Sequence, residues 1–130
     1  MIVEFVSKVY DNHSLSIVTR NIILELLNLG VRVKLTALDN YDPKFKLAKE
    51  QVKTLKSLEN ETSVPDIQVR HSYPPIWAWP EHEKTKVVFI QPWEYSKVPF
   101  EWQYKFEQFA DALVVPSNYC RKTFLNGGIN

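Results

Sequence analysis

Residues 2–35 read IVEFVSKVYDNHSLSIVTRNIILELLNLGVRVKL, in which two short apolar runs enclose a helical pattern. The first run, residues 2–6, and the second, residues 31–35, are rich in β-branched side chains, as strands are. Between them apolar residues recur every three or four positions from Leu15 onward, and Gly30 follows where a left-handed helix cap is common. The stretch therefore predicts a strand, an amphipathic helix and a second strand.

The same alternation continues along the rest of the chain. Short runs that carry β-branched side chains at 66–69, 87–90 and 112–115 predict three more strands, and helical patterns follow the second, fourth and fifth strands. The run at 87–90 is fully apolar, as expected of a strand that is buried on both faces. We therefore expect one α/β domain over residues 1–130, a Rossmann-like three-layer sandwich whose parallel sheet has five or more strands in the order 3-2-1-4-5.

One long segment, residues 71–85, interrupts the alternation and reads HSYPPIWAWPEHEKT. Its three prolines are incompatible with a regular helix through most of its length. A loop of this length is usually either functional or disordered, and its aromatic side chains argue against disorder. Two roles stay open for it: a hydrophobic cover folded over the edge of the sheet, or a surface that faces a substrate.

Composition and charge narrow the class of protein. The net charge of the 130-residue chain is +1, which favours neither nucleic-acid binding nor an acidic tail. Its one cysteine, Cys120, cannot form an internal disulfide. No apolar run approaches the roughly 18 residues that a membrane span needs, and the chain starts with a strand-like run instead of a signal peptide. These features predict a cytoplasmic protein that binds no nucleic acid.

Polar side chains follow each predicted strand, at the edge where parallel sheets bind their ligands. His13, Ser14 and Ser16 follow the first strand. Arg70 and His71 follow the third. The candidates after the fourth and fifth strands are Gln91, Trp93, Glu94, Ser117 and Asn118. Together with the aromatic faces of Trp93 and Tyr10, this mixture of carboxylates, amides and hydroxyls suits a carbohydrate better than an apolar ligand.

Several of these residues also have a purely structural interpretation. Ser14 or Ser16 is suited to capping the first helix, and Arg70 and Glu94 are suited to a salt bridge between neighbouring loops. The lysine-rich second helix fits either a solvated face or a surface that docks on anionic lipid headgroups. No GxGxxG or GxxxxGK[ST] motif is present, and no His, Cys and carboxylate cluster has metal-ligand spacing, so we expect no metal and no dinucleotide site.

Long stretches of the chain resemble the group 1 (family 4) GT-B glycosyltransferases. They are HSLS at 13–16, VRHSYPP at 69–75, VVFIQPWEYSKVPFEW at 87–102 and ADALVVPSNYCRKTFLNGGI at 110–129. The similarity extends over essentially the whole chain. One departure is Ile76 after the proline pair, where the family often carries Trp-Pro-Pro followed by an acidic residue.

The resemblance implies an enzyme that transfers a sugar, with retention of configuration, from a nucleotide-sugar donor to a carbohydrate or lipid-linked acceptor. In that family the acceptor-side Rossmann domain precedes a donor-binding one. The resemblance therefore implies an N-terminal half that is inactive alone and needs a C-terminal Rossmann domain in cis or in trans. It further implies self-association through the exposed cleft face. The lysine-rich second helix, in its lipid-docking interpretation, predicts peripheral contact with the inner face of a membrane.

Two residues are expected to have catalytic roles in such an enzyme. In the expected strand order the fourth strand adjoins the first, so Glu94 should lie beside His13 and bind acceptor hydroxyls or assist proton transfer. The other candidate residues are expected to bind the acceptor or the donor, with no metal. The residues by themselves leave two alternatives open: a stand-alone sugar- or nucleotide-binding module, and a protein-interaction domain without turnover.

Overall fold

Five parallel strands form the centre of the protein, which confirms the Rossmann-like α/β class predicted from the alternating pattern. In the computed structural model, which describes residues 1–130, the strands are β1 (Ile2–Ser7), β2 (Arg32–Ala37), β3 (Ile67–His71), β4 (Lys86–Ile90) and β5 (Ala112–Val114). The helices are α1 (Ser14–Asn28), α2 (Lys49–Glu59), α3 (Phe100–Phe109) and α4 (Asn118–Asn126), and a 3-10 turn, Pro43–Phe45, precedes α2.

The strand order is β2-β1-β3-β4-β5, so the expected order 3-2-1-4-5 is wrong. β3 pairs with β1 instead of lying outside β2. Glu4 of β1 accepts a hydrogen bond of 2.7 Å from Gln68 of β3, and Val69 joins the apolar cluster that contains Phe5. β2 suits the edge of a sheet, because its exposed Arg32 is a charged side chain of the kind that protects edge strands.

The corrected order moves the point at which the chain reverses direction across the sheet. From β1 the chain crosses to β2 on one side and then returns to β3 on the other side. The reversal therefore lies between β1 and β3, whose last residues, Ser7 and His71, are paired. In open parallel sheets the ligand crevice lies at such a reversal, outside the carboxyl ends of the strands.

Helices α1 and α2 cover one face of the sheet. Phe5 of β1 and Leu35 of β2 are register partners on that face. They pack with Ile23 of α1 and Leu55 of α2 in a cluster of nine buried residues. α2 begins at Lys49, after the 3-10 turn that contains Phe45.

The opposite face is covered by α3, α4 and the proline-rich loop. Phe89 of β4 packs there with Trp102 and Phe106 of α3 and with Phe124 of α4. Trp77 of the loop inserts its ring among them, with centroids 4.9 Å from Phe106 and 5.4 Å from Phe89. The loop is therefore a hydrophobic cover at this point, and the structure has the three layers that the sequence predicts.

Arg70 fixes the proline-rich loop to the sheet. Its Nη1 donates to the carbonyl oxygens of Ile76 and Ala78, at 2.9 Å and 2.6 Å, and its Nε donates to Gln68 Oε1 at 2.8 Å. The guanidinium also lies 5.6 Å from the centroid of the Phe89 ring. Because these contacts hold the Arg70 side chain, the salt bridge with Glu94 that the sequence allowed does not form.

Replacing Trp77 with alanine should lower the free energy of unfolding by roughly 2–4 kcal/mol, because the ring is half-buried and its removal leaves space beside Phe89 and Phe106. Trp79 is the matched control, since it belongs to the same loop but is 66% exposed. Trp79→Ala should cost less than about 1 kcal/mol. Urea denaturation followed by circular dichroism measures both, and equal losses would show that the loop is not anchored through Trp77.

Candidate functional site

The loop after β1, residues 8–13, is held in place by two charged side chains from other elements. Asp39, which follows β2, accepts hydrogen bonds from the three successive amides of residues 9–11 at 2.9, 3.0 and 3.1 Å. Arg20 of α1 donates to two carbonyl oxygens of the same stretch, both at 2.6 Å. A carboxylate in a concavity of amides is a stable arrangement, and it fixes the loop at the carboxyl edge of the sheet.

Helix α1 begins at this edge without a side-chain cap. Its N-cap residue is His13, whose side chain makes no capping hydrogen bond. Capping by Ser14 or Ser16, one of the interpretations left open by the sequence, is therefore wrong. Asp11 instead accepts a hydrogen bond of 3.0 Å from the amide of His13. The amides of the first helical turn consequently stay free to bind another acceptor.

Ser16 is fully buried, and its hydroxyl has no hydrogen-bond partner in the protein. The hydroxyl lies near the Asp11 carboxylate and favours its ionised form without reaching hydrogen-bond geometry. Burial raises the pKa of Asp11, but Ser16, the His13 amide and the nearby charges of His13 and Lys8 outweigh burial and lower it. Asp11 is therefore a carboxylate at neutral pH. It lies beside the buried Ser16 hydroxyl, and buried polar groups without a hydrogen-bond partner are rare in folded proteins.

His71, at the end of β3, belongs to a buried chain of polar side chains. Its Nδ1 lies 2.8 Å from Thr19 Oγ1, which lies 3.0 Å from Ser7 Oγ. Ser7 Oγ donates to the His71 carbonyl oxygen at 2.7 Å, and Thr19 Oγ1 donates to the Leu15 carbonyl oxygen at 3.0 Å. Thr19 has one hydroxyl proton, and in the arrangement in which that proton goes to Leu15 the neutral His71 ring carries its hydrogen on Nδ1 and accepts through Nε2.

The free nitrogen of His71 reaches the surface although the residue is only 3% exposed. His71 Nε2 makes no hydrogen bond within the protein. Ser16 Oγ is the one fully buried side-chain nitrogen or oxygen that lacks a partner, so Nε2 is not fully buried. Burial lowers the pKa of His71, which keeps the ring neutral at pH 7. The ring can therefore accept a hydrogen bond from a ligand hydroxyl at the point where the chain reverses across the sheet.

Three tyrosines form the exposed aromatic surface of the carboxyl edge. Tyr73, Tyr95 and Tyr119 follow β3, β4 and β5, and they are 69%, 69% and 55% exposed. Sequence reasoning did not select them, because neither a motif nor a periodicity distinguishes an exposed ring in a loop from a buried one. The recurrence of one tyrosine after each of three successive strands is the signal that could have found them.

The two aromatic residues that the sequence did select are packed inside the protein. Trp93 is half-buried, with its ring centroid 4.8 Å from that of Trp102, and its Nε1 donates to the Lys97 carbonyl oxygen. Tyr10 is fully buried, and its hydroxyl donates to Glu59 at 2.8 Å. The expectation that Tyr10 offers a ring face to a ligand is wrong, because α2 supplies an apolar cover and a partner for its hydroxyl.

Glu94 and His13 are both exposed and leave the sheet from strands that β3 separates. Neighbouring strands are spaced by about 4.8 Å, so the ends of β1 and β4 are about 10 Å apart. The adjacency of strands one and four, on which the pairing of Glu94 with His13 depended, is therefore wrong. Glu94 makes no ion pair, whereas the five that form involve other carboxylates.

Of the remaining candidate residues, Ser117 and Gln91 make hydrogen bonds within the protein, whereas Asn118 and Ser14 are exposed. Ser117 caps α4, as the sequence predicts, because its hydroxyl accepts a hydrogen bond of 3.1 Å from the Cys120 amide. Gln91 is 2% exposed and donates to the Pro92 carbonyl oxygen at 3.2 Å. Asn118 is exposed at the start of α4, and Ser14 is exposed at the start of α1. Of this group, Asn118 and Ser14 are the side chains that a ligand at the edge can reach directly.

None of the five cavities of 290–600 Å³ is lined by Asp11, His13, His71, Glu94 or the three exposed tyrosines. No three His, Cys, Asp or Glu side chains are grouped closely enough to hold a metal ion. None of the helices has both the length and the apolar character needed to cross a bilayer.

Comparisons with known proteins returned nothing: no family model, no curated protein and no solved structure matches this chain. The resemblance to glycosyltransferases therefore depends on the sequence stretches quoted above alone.

Acidification should destabilise the protein through His71. Its pKa is lower in the folded state than in the unfolded chain, so the unfolded chain binds more protons. The contribution of His71 to the free energy of unfolding is complete above its unfolded-state pKa of about 6.5. It is lost as pH falls from there toward the folded-state pKa. Urea denaturation at a series of pH values should show this decline below about pH 6.5, whereas carboxylates of lowered pKa, such as Asp11, act at lower pH.

His71→Gln should remove that part of the pH dependence. His82→Gln is the matched control, because it removes an exposed histidine of the proline-rich loop and leaves His71 in place, so the wild-type decline should remain. A decline of the same size in His71→Gln and wild type would refute the assignment.

Proposed function

We propose that this chain is the N-terminal, acceptor-side half of a retaining glycosyltransferase, which moves a sugar from a nucleotide-sugar donor to a carbohydrate or lipid-linked acceptor. The observation that carries the proposal is the combination of exposed tyrosine rings with hydrogen-bonding groups at one edge of a parallel sheet. Sugars present apolar C–H faces, which stack on aromatic rings, and hydroxyls, which need both donors and acceptors.

The hydrogen-bonding groups of the edge are of both kinds. His71 Nε2 and the Asp11 carboxylate are acceptors, and the uncapped amides at the start of α1 are donors. Each is already oriented by the protein, His71 by Thr19 and Asp11 by the amide of His13. A ligand therefore meets preorganised partners, which reduces the entropic cost of binding.

Charge at the edge favours a neutral polyol. Asp11 is ionised and Glu94 is an exposed carboxylate without an ion pair. In this proposal Glu94 and His13 act on the acceptor from different strands, Glu94 by gripping a hydroxyl and His13 from the N-terminus of α1. Asn118 and Ser14 contribute further polar contacts, while Gln91, which is buried, supports the loop after β4 through the Pro92 carbonyl oxygen. Arg70, Trp93 and Ser117 hold the other loop segments.

The proposal includes a partner domain. A second Rossmann domain, in cis or in trans, would face the carboxyl edge and hold the donor. A single domain supplies only one side of the cleft between the two domains, so it neither aligns donor with acceptor nor excludes water. We therefore propose that this domain alone is inactive. Exposed apolar residues at the edge, such as Leu38 and Tyr95, are consistent with self-association, and the exposed Lys49 and Lys53 of α2 are consistent with peripheral contact at a membrane.

Tyr95→Ala and Tyr119→Ala should each weaken saccharide binding about five- to tenfold, which corresponds to roughly 1–1.4 kcal/mol of lost stacking. Tyr104→Ala is the matched control, because Tyr104 is a similarly exposed tyrosine on α3 that should not affect binding. Calorimetric titration of the purified chain with a panel of mono- and disaccharide glycosides measures the effect.

Two results of that titration would refute the proposed function. In the first, no saccharide of the panel binds. In the second, Tyr104→Ala weakens binding as much as the edge variants do, which would place the ligand elsewhere or indicate non-specific association.

A further inference from the structure

A cavity of about 290 Å³ lies on the sheet face opposite α1 and α2. The strand register places six residues of β2, β1 and β3 in two rows on its floor: Lys34, Glu4 and Gln68 in one row, and Thr36, Val6 and Arg70 in the next. The proline-rich loop supplies most of the remaining wall, including Ile76 and Trp79.

The floor carries two cations but one carboxylate, and that carboxylate is already occupied. Glu4 is 5% exposed, and its Oε1 accepts from Thr36 Oγ1 at 2.8 Å while its Oε2 accepts from Gln68 Nε2 at 2.7 Å. Lys34 Nζ lies 3.6 Å from Oε1, which is longer than a hydrogen bond. Lys34 thus pairs with Glu4 by charge, and its Nζ keeps N–H donors for a second acceptor.

Arg70 is a buried cation without an anionic partner. It is 3% exposed, and none of the five salt bridges includes it. Three of its N–H donors bind neutral acceptors, namely Gln68 Oε1 and two loop carbonyl oxygens. Its Nη2 makes no hydrogen bond to a protein atom. Among the fully buried side-chain nitrogen and oxygen atoms, Ser16 Oγ is the one that lacks a partner, so Nη2 is not fully buried.

Arg70 lines this cavity and none of the other described cavities. Burial lowers the pKa of Arg70, although Glu4 opposes the change. A cation that is removed from water and hydrogen-bonded only to neutral groups is unfavourable even with Glu4 nearby, so an anion beside Nη2 would be stabilised.

We propose that this cavity binds a small molecule through a carboxylate group, with Arg70 Nη2 and Lys34 Nζ as donors. Arginine matches the planar geometry of a carboxylate. Glu4 and Glu81 also line the cavity, and they disfavour a doubly charged phosphate. Ile76 and the exposed ring of Trp79 provide an apolar wall for the body of the ligand. The site is separate from the carboxyl edge and does not depend on the proposed function.

Benzoate is the probe for this site, and benzamide, which has nearly the same shape but no charge, is the control ligand. Titrated into ¹⁵N-labelled protein, benzoate should shift amide signals of residues 34–36 and 76–82 with a Kd of about 1–10 mM. Benzamide and inorganic phosphate should bind at least about tenfold more weakly. Equal binding of benzamide or of phosphate, or no benzoate shift in these residues, overturns the proposal.

Lys34→Gln should weaken benzoate binding about tenfold because it removes one of the two cations. Arg32→Gln is the matched control, since Arg32 lies two residues earlier on the same strand and face, pairs with Glu61 at 3.1 Å and does not line the cavity. Equal effects of the two variants overturn the proposal. The comparison of benzoate with benzamide on the wild-type protein decides the matter even where Lys34→Gln does not fold.

Discussion

The pairing of β1 with β3 places Ser7 beside His71, and the polar groups of the candidate site are positioned relative to that pair. The Ser7 hydroxyl donates to the His71 carbonyl oxygen, and Thr19 of α1 bonds the His71 ring, so two strands and one helix meet there. The loops that follow β1 and β3 leave the sheet from this point. Their conformations therefore determine which groups a ligand can reach.

Charged side chains hold both loops by binding backbone atoms. Asp39 and Arg20 fix residues 8–13, and Arg70 fixes the proline-rich loop through two of its carbonyl oxygens. Such charge-assisted hydrogen bonds are stronger than bonds between neutral groups. The edge is consequently ordered by the protein itself, with His71 and Asp11 largely buried in it and the tyrosines exposed to solvent.

Local patterns predicted the elements well, because each depends on residues close in sequence. The strands follow from apolar runs, and the cap of α4 follows from Ser117 alone. The strand order failed because it depends on pairs such as Glu4 and Gln68, which are 64 residues apart. The roles of Tyr10 and Arg70 were missed for the same reason: α2 covers Tyr10 and the proline-rich loop accepts hydrogen bonds from Arg70, and both contacts arise only on folding.

The claim that the carboxyl edge binds the ligand is tested most directly by amide chemical-shift mapping with the tightest-binding saccharide. The account predicts shifts in residues 8–16, 71–73, 91–95 and 117–119, and none in the cleft of about 500 Å³ that Trp79, Glu107 and Phe109 line at another part of the surface. Shifts confined to that cleft, with the carboxyl edge unchanged, would contradict it.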